Sequence, residues 1–177
     1  MNPFAFLIDI LLQMYAMILL LRVILQWVRA DFYNPACQFI VKITNPVVKP
    51  VRRIIPGLWG IDMATVLLVL IITTIKLAAV YALSGYAITL LPLLIGSLLD
   101  SIQLLLSIFL YGIIIQALLS WINPDPYNPM MILLNSITYP VLKPFQRLLP
   151  PMGGFDISPI FAIIAIMFIQ QSIKYFL

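Results

Sequence analysis

The sequence contains no histidine, no glutamate and a single cysteine, Cys37. Without histidine there are no His-based triads, no HExxH zinc sites and no His-ligated haem. The six acids are all aspartate, so few acid–base pairs for hydrolytic chemistry can be assembled. One cysteine excludes an internal disulfide, and the redox compartment is not readable from it. Charge is scarce too. Only 9% of the 177 residues are charged, against about 25% in an ordinary globular domain. A soluble enzyme of this size needs far more polar surface. No metal site and no cofactor is expected.

Apolar residues take the place of charge. They make up 63% of the chain, and the mean hydropathy is +1.11. Four stretches, near 4–28, 63–83, 98–122 and 157–176, reach the ~20 apolar residues needed to cross a ~30 Å hydrocarbon core. Each must be helical, because lipid offers no partner to an open backbone N–H or C=O. The first stretch lacks a basic n-region, carries Asp9, Gln13 and Arg22, and has no small-residue cleavage site after it. It reads as a retained span and not as a signal peptide. Segment 84–97 is apolar but interrupted by Pro92 and Gly96. It reads as a short interfacial connector and not as a fifth crossing.

The chain repeats itself at an offset of 94 residues. Between 27–62 and 121–156, 15 of 36 positions are identical, and the matches include rare types in register, which excludes chance. Trp27, Asp31 and Tyr33-Asn34-Pro35 align with Trp121, Asp125 and Tyr127-Asn128-Pro129. Ile43-Thr44, Pro46-Val47 and Lys49-Pro50 align with Ile137-Thr138, Pro140-Val141 and Lys143-Pro144. Arg53, Pro56, Gly60 and Asp62 align with Arg147, Pro150, Gly154 and Asp156. The expected architecture is therefore an all-α membrane fold of two parallel units, 1–83 and 98–177, each span–loop–span, joined by 84–97. Two crossings per unit give both copies one orientation, unlike an inverted repeat. Loops 29–62 and 123–156 then share a side and hold seven cations, while the other side holds only Lys174. The positive-inside bias puts both loops in the cytoplasm and both termini outside.

Within each loop two short helices are expected. Asn34-Pro35 and Asn128-Pro129 combine an N-cap residue with proline at the first helical position. Val47, Val48, Val51, Ile54 and Ile55 share one helical face, with Lys49, Arg52 and Arg53 on the other. Copy two opposes Val141, Leu142, Phe145, Leu148 and Leu149 to Lys143, Gln146 and Arg147. Pro50 and Pro144 conflict with a helix begun at Pro46 or Pro140, so a kink or a later start is required. Such segments lie at the membrane surface with cations toward anionic lipid, or they offer a face to an acidic protein. No aromatic interleaving or long basic run supports direct nucleic-acid binding.

Asp62 and Asp156 precede the second span of each copy and are expected to cap it. Trp27 and Trp121 suit the interface. Asp31, Asp125, Tyr33 and Tyr127 suit turns, and Cys37, aligned with Met131, suits apolar filling. Inside the spans, Asp9, Gln13, Arg22 and Gln26 align with Gln103, Ser107, Gln116 and Ser120. All are polar, which is costly in lipid unless they face protein or water. Asp9 and Arg22 lie ~20 Å apart along a helix and cannot form one cluster. Depth instead gathers Asp9, Gln13, Asp100, Gln103, Thr73, Thr74, Lys76 and its repeat mate Gln170 in the half away from the loops. Lys76 either pairs with Asp9 or Asp100 there or snorkels outward.

Tyr-Asn-Pro, Thr-x-Pro, Pro-x-x-(Arg)-Arg-x-x-Pro and Gly-x-Asp, once per copy, resemble the YggT (YlmG) family of integral membrane proteins. The resemblance spans nearly the whole chain. It implies a bacterial inner-membrane protein with no established enzymatic activity. Relatives are tied to osmotic-stress tolerance, to the neighbourhood of division genes and, in plastids, to cytochrome b6 maturation and nucleoid distribution. The copies differ at Arg52 against Gln146, and at Ala64-Thr65 against Ser158-Pro159. The leading expectation is a non-enzymatic scaffold or assembly factor acting through Lys49, Arg52, Arg53, Lys143 and Arg147 on lipid, on an unidentified membrane or cytoplasmic protein, or on a second copy of itself. The alternative is an ion-conducting or ion-transport-modulating protein, which four spans would need an oligomer to achieve. An intramembrane enzyme finds almost no catalytic side chains.

Overall fold

The computed structural model describes residues 2–57, 60–122, 128–148 and 156–176. Among the described residues six α-helices follow one another: α1 Pro3–Trp27, α2 Pro35–Arg52, α3 Met63–Ser84, α4 Leu90–Ile122, α5 Pro129–Leu148 and α6 Ser158–Phe176. Four of them, α1, α3, α4 and α6, are long and apolar enough to cross a membrane. The described residues are thus all-helical, built as two copies of apolar helix, amphipathic loop helix, apolar helix.

The chain termini of these helices follow from local chemistry. Asn2 caps α1 through its side chain and the Phe4 N–H, at 3.0 Å, with Pro3 in the first turn. Asn34 does the same for α2 through the Ala36 N–H at 2.9 Å, and Asn128 for α5 through the Met130 N–H at 2.9 Å. Helix α3 ends at Gly85, whose φ of +75° lets the chain leave in the left-handed region.

Two expectations need correction. The connector is shorter than 84–97, because α4 already begins at Leu90. Pro92 is its third residue, where a missing N–H would have had no helical partner anyway. Among the described residues each loop also holds one helix where two short ones were expected. Pro46 and Pro50 lie inside α2, and Pro140 and Pro144 inside α5. The donors lost in α2 belong to the Lys42 and Pro46 carbonyls. Lys42, Pro46 and Pro50 are all exposed, so the defects face surroundings that can satisfy those carbonyls.

One apolar cluster runs through both copies, from Leu19, Ile24 and Leu25 of α1 to Ile108, Phe109 and Ile113 of α4 and Ala162 and Ile166 of α6. Cys37 and Val48 of α2 join it. Much of the apolar face of α2 therefore packs on protein. Phe39, Val47 and Ile54 remain exposed from it. Small residues allow close approach elsewhere. A Cβ on Gly112 would stand 3.2 Å from the Thr138 methyl, so α5 lies directly on α4 there. Thr73 of α3 and Ser101 of α4 bridge the copies at 3.0 Å.

The starts of α2 and α5 meet. The Asn34 side chain donates to the Pro129 carbonyl at 2.6 Å. Both loop helices therefore sit at one end of the bundle, as a parallel duplication requires. Cys37 is fully buried beside this contact. Burial pushes its thiol above the ordinary range, and the Asp31 charge adds to the shift. Thiolate is the reactive form. The folded protein is expected to react with maleimide at least ~10-fold more slowly than the unfolded chain, a difference that mass spectrometry would follow over time.

Candidate functional site

The polar side chains form three stations, each present in both copies. The first is at the loop end of α1. Arg22, 7% exposed, donates from Nη1 to Thr44 Oγ1 at 2.6 Å and to Asn45 Oδ1 at 3.0 Å. Thr44 in turn donates to the Ile40 carbonyl at 2.7 Å, the ordinary back-bond of a helical threonine. An intramembrane cation thus fastens the loop helix to the span. In copy two the corresponding pair is joined with the direction reversed: Thr138 Oγ1 donates to the Gln116 side-chain oxygen. Thr44 and Asn45 were not among the expected functional residues. The available signal was the Thr44/Thr138 identity beside the Arg22/Gln116 pair.

The second station joins the end of the loop helix to the start of the next span. Arg52 forms an ion pair with Asp62, which is 1% exposed and also accepts from Thr65 Oγ1 at 2.7 Å. Asp62 does occupy the N-cap position of α3, but its side chain accepts no capping N–H there. Arg52 and Thr65 hold the carboxylate, and among the described residues Oδ1 has no hydrogen-bond partner. Asp156 does cap, accepting the Ser158 N–H at 2.9 Å, and it also accepts from Gln146 Nε2 at 2.9 Å.

Burial pushes the Asp62 carboxyl up, but the Arg52 and Thr65 contacts outweigh it and hold the group below the usual carboxylate range. A folded pKa below the unfolded one gives stability present above about pH 4, and lost as pH falls through the lower folded value. The junction of α2 and α3 is expected to loosen only in acid below about pH 4. Limited proteolysis within 53–62 across a pH series would show the step. Asp62→Asn would abolish it, leaving a weaker junction at neutral pH.

The third station lies in the opposite half of the bundle. Lys76 of α3 is 3% exposed, with Nζ 2.7 Å from Asp100 Oδ2 on α4 and 3.6 Å from Asp9 Oδ1 on α1. Both carboxylates are roughly 30% exposed, at 30% for Asp9 and 27% for Asp100. Three helices and both copies meet at one ammonium. Thr74 points its hydroxyl to the Leu70 carbonyl instead. In copy two, Gln170 donates to Ser107 Oγ at 2.9 Å, and Gln103 donates to the Gln170 carbonyl at 2.7 Å. Gln13 stands apart from Lys76. With Ser107, Met17 and Tyr111 it lines an apolar groove of about 420 Å³ between α1, α4 and α5.

A rule emerges when the stations are compared. Asp9, Arg22, Arg52 and Lys76 stand where copy two has Gln103, Gln116, Gln146 and Gln170. Every one of these charges becomes glutamine, which keeps the hydrogen bonding and drops the charge. The copies share a scaffold, and at these four positions only copy one is charged.

The loop cations divide in a different way. Lys49, Arg53 and Arg147 are exposed. Arg52 is committed to Asp62, and Lys143 lies 5.0 Å above the Tyr139 ring, in cation–π contact. Asp31 accepts the Tyr33 N–H at 2.9 Å, a turn contact. Trp27 is half exposed at the end of α1. The side chain of Trp121, together with Asp125, Tyr127, Pro150 and Gly154, lies outside the described residues. No cluster of potential metal ligands occurs among the described residues.

Duplicated hairpins of apolar helices with a cationic helix between each pair define a small multi-pass membrane protein. The CCB3/YggT family profile matches residues 1–83 and 95–177, and the chain belongs to this family. It is 45% identical over 161 residues to the uncharacterised protein PA0392 of Pseudomonas aeruginosa, covering 90% of this chain and 82% of the relative. With YggT of Escherichia coli K12 it shares 34% over 174 residues, 98% of this chain and 90% of the relative. The ycf19 protein of Porphyra purpurea matches 75 residues at 40% identity, 42% of this chain but 79% of that protein. No solved structure matches the chain significantly.

Proposed function

We propose that the protein is a non-enzymatic scaffold or assembly factor of the bacterial inner membrane, serving stress tolerance, whose two basic loop helices form one cytoplasmic recruiting face. The observation that carries this reading is the Asn34–Pro129 contact, which brings α2 and α5 together at one end. Lys49, Arg53 and Arg147 are exposed toward the far ends of these two helices, ~20–27 Å along them from the contact, and basic surfaces on both loop helices suit an acidic segment of a membrane or cytoplasmic protein. The cation count on the two sides favours loops in the cytoplasm and termini outside. A photocrosslinker at Arg53 in native membranes is expected to capture a defined partner, and Lys49→Gln with Arg53→Gln is expected to lose it. Unchanged capture by that variant would reject the reading. A reporter on the C-terminus that is active only outside the cell would agree with the orientation, and a cytoplasmic signal would reject it.

A second reading, an ion-transport modulator tied to osmotic stress, draws on Lys76 between Asp9 and Asp100. Buried titratable groups in a span are costly and commonly mark ion pathways. Liposomes holding the protein would then show an ion flux that disappears in Lys76→Gln. Equal flux in both would discard it.

A further inference from the structure

The first two stations of copy one open on one cleft of about 360 Å³ at the loop end of α1, lined by Arg22, Gln26, Phe32, Val41, Asn45 and Arg52. Copy two has the corresponding cleft, lined among others by Gln116, Ser120, Gln146 and Asp156. Three of these are the repeat mates of Arg22, Gln26 and Arg52. The two clefts share these three repeat positions, with two guanidiniums in one copy and two amides in the other, while Phe32, Val41 and Asn45 line only the first and Pro159 and Ile160 of α6 only the second.

The charge balance in the first cleft is incomplete. Asp62 is engaged with Arg52. Arg22 is more than nine-tenths buried, and its hydrogen bonds go to the neutral oxygens of Thr44 and Asn45. Among the described residues it has no carboxylate within ion-pair distance. The Asp62 charge acts on Arg22 through space but is shared with Arg52, and a buried cation with only part of a counter-charge is expensive. Both hydrogen bonds use Nη1, and Arg22 also lines the cleft. Arginine forks match the oxygens of a phosphate group in pairs. Arg22 sits ~9 Å below the end of its span, at the depth where a lipid headgroup is within reach of a side chain.

We infer that this cleft is a phosphate-binding site that takes the headgroup phosphate of an anionic phospholipid between Arg22 and Arg52. The equivalent cleft of copy two, with Gln116, Gln146 and Asp156, does not. Asp62 holds Arg52 at the rim, and Thr44 and Asn45 orient Arg22 within it. The site is separate from the exposed cations of the recruiting face, so the inference does not rest on that reading.

Native mass spectrometry of the purified protein with phosphatidylglycerol or phosphatidylcholine tests it. One phosphatidylglycerol is expected to be held tightly, with preference over the zwitterionic lipid. Arg22→Gln with Arg52→Gln installs the amides that copy two already tolerates. That variant is expected to lose about 30-fold in affinity for this one lipid, the effect of two cations near an anionic group. Lys49→Gln with Arg53→Gln should leave the tight lipid in place. The reverse change, Gln116→Arg with Gln146→Arg, should add a second tight lipid, and it keeps the test open if the first variant folds poorly. Unchanged affinity in the first variant and no gain in the reverse one would overturn the inference. Binding of inorganic phosphate in phosphatidylcholine nanodiscs, without preference for phosphatidylglycerol, would overturn the lipid source and assign the cleft to a soluble phosphate.

Discussion

Replacing Lys76 by methionine is expected to lower the stability of the folded protein by about 2–4 kcal/mol. The substitution keeps the volume and removes the only cation between Asp9 and Asp100, two carboxylates from different helices. Removing one partner of a fully buried pair costs about 3–5 kcal/mol, because the opposite charge is left behind. Here the two carboxylates are 30% and 27% exposed, so water takes up part of that loss. The midpoint of heat-induced loss of the monodisperse peak in mild detergent would fall by several degrees. Copy two shows how the station works without charge, through Gln103 and Gln170. Lys76→Gln combined with Asp9→Gln and Asp100→Asn is therefore expected to recover most of the loss, because no carboxylate is then left without its cation. If Lys76→Met melts like the parent protein, the ammonium does not hold α1, α3 and α4 together.

The second large effect is at Arg22. Arg22→Ala leaves the Thr44 hydroxyl and the Asn45 carbonyl without their charged donor and opens space beneath α2. Hydrogen bonds to charged groups contribute about 1.5–3 kcal/mol, so local detachment of α2 should become easier by a similar amount. Cys37, fully buried on α2, reports this opening. Its maleimide reaction is expected to speed up by about tenfold or more in Arg22→Ala. Arg22→Gln should change the rate only slightly, because Gln116 serves Thr138 in copy two. Equal labelling rates in all three proteins would show that the clamp does not hold α2 down.

The spans were legible because each is a long apolar run, and lipid leaves such a run only the helix to form. The duplication was legible because Tyr33-Asn34-Pro35 and Tyr127-Asn128-Pro129 stand in one register with a dozen other matches. Helix starts at Pro35 and Pro129 followed from asparagine capping and proline at the first position. Helix interiors were read less well. Pro46 and Pro50 suggested an interruption, yet α2 runs through both. A missing N–H frees a carbonyl, and that matters less where the helix is exposed. Pro92 suggested a connector, yet it falls in the first turn of α4, where no helical partner was due.

The candidate site divides along the same line. Depth along the chain placed Lys76 at the level of Asp9 and Asp100, since 1.5 Å per residue is enough for that. It did not reveal that Arg22 reaches Thr44 and Asn45, or that Arg52 takes the Asp62 carboxylate away from the helix end. It also could not bring Arg22 and Arg52 to one cleft.

The sequence alone determined the number of crossings, the duplication and the crowding of cations on one side, because hydropathy, register and charge are properties of the chain. Only the tertiary structure decided which polar groups meet. Periodicity tells which face and height a side chain occupies on its own helix, but the rotation and axial shift of the neighbouring helix are set by how the two surfaces pack.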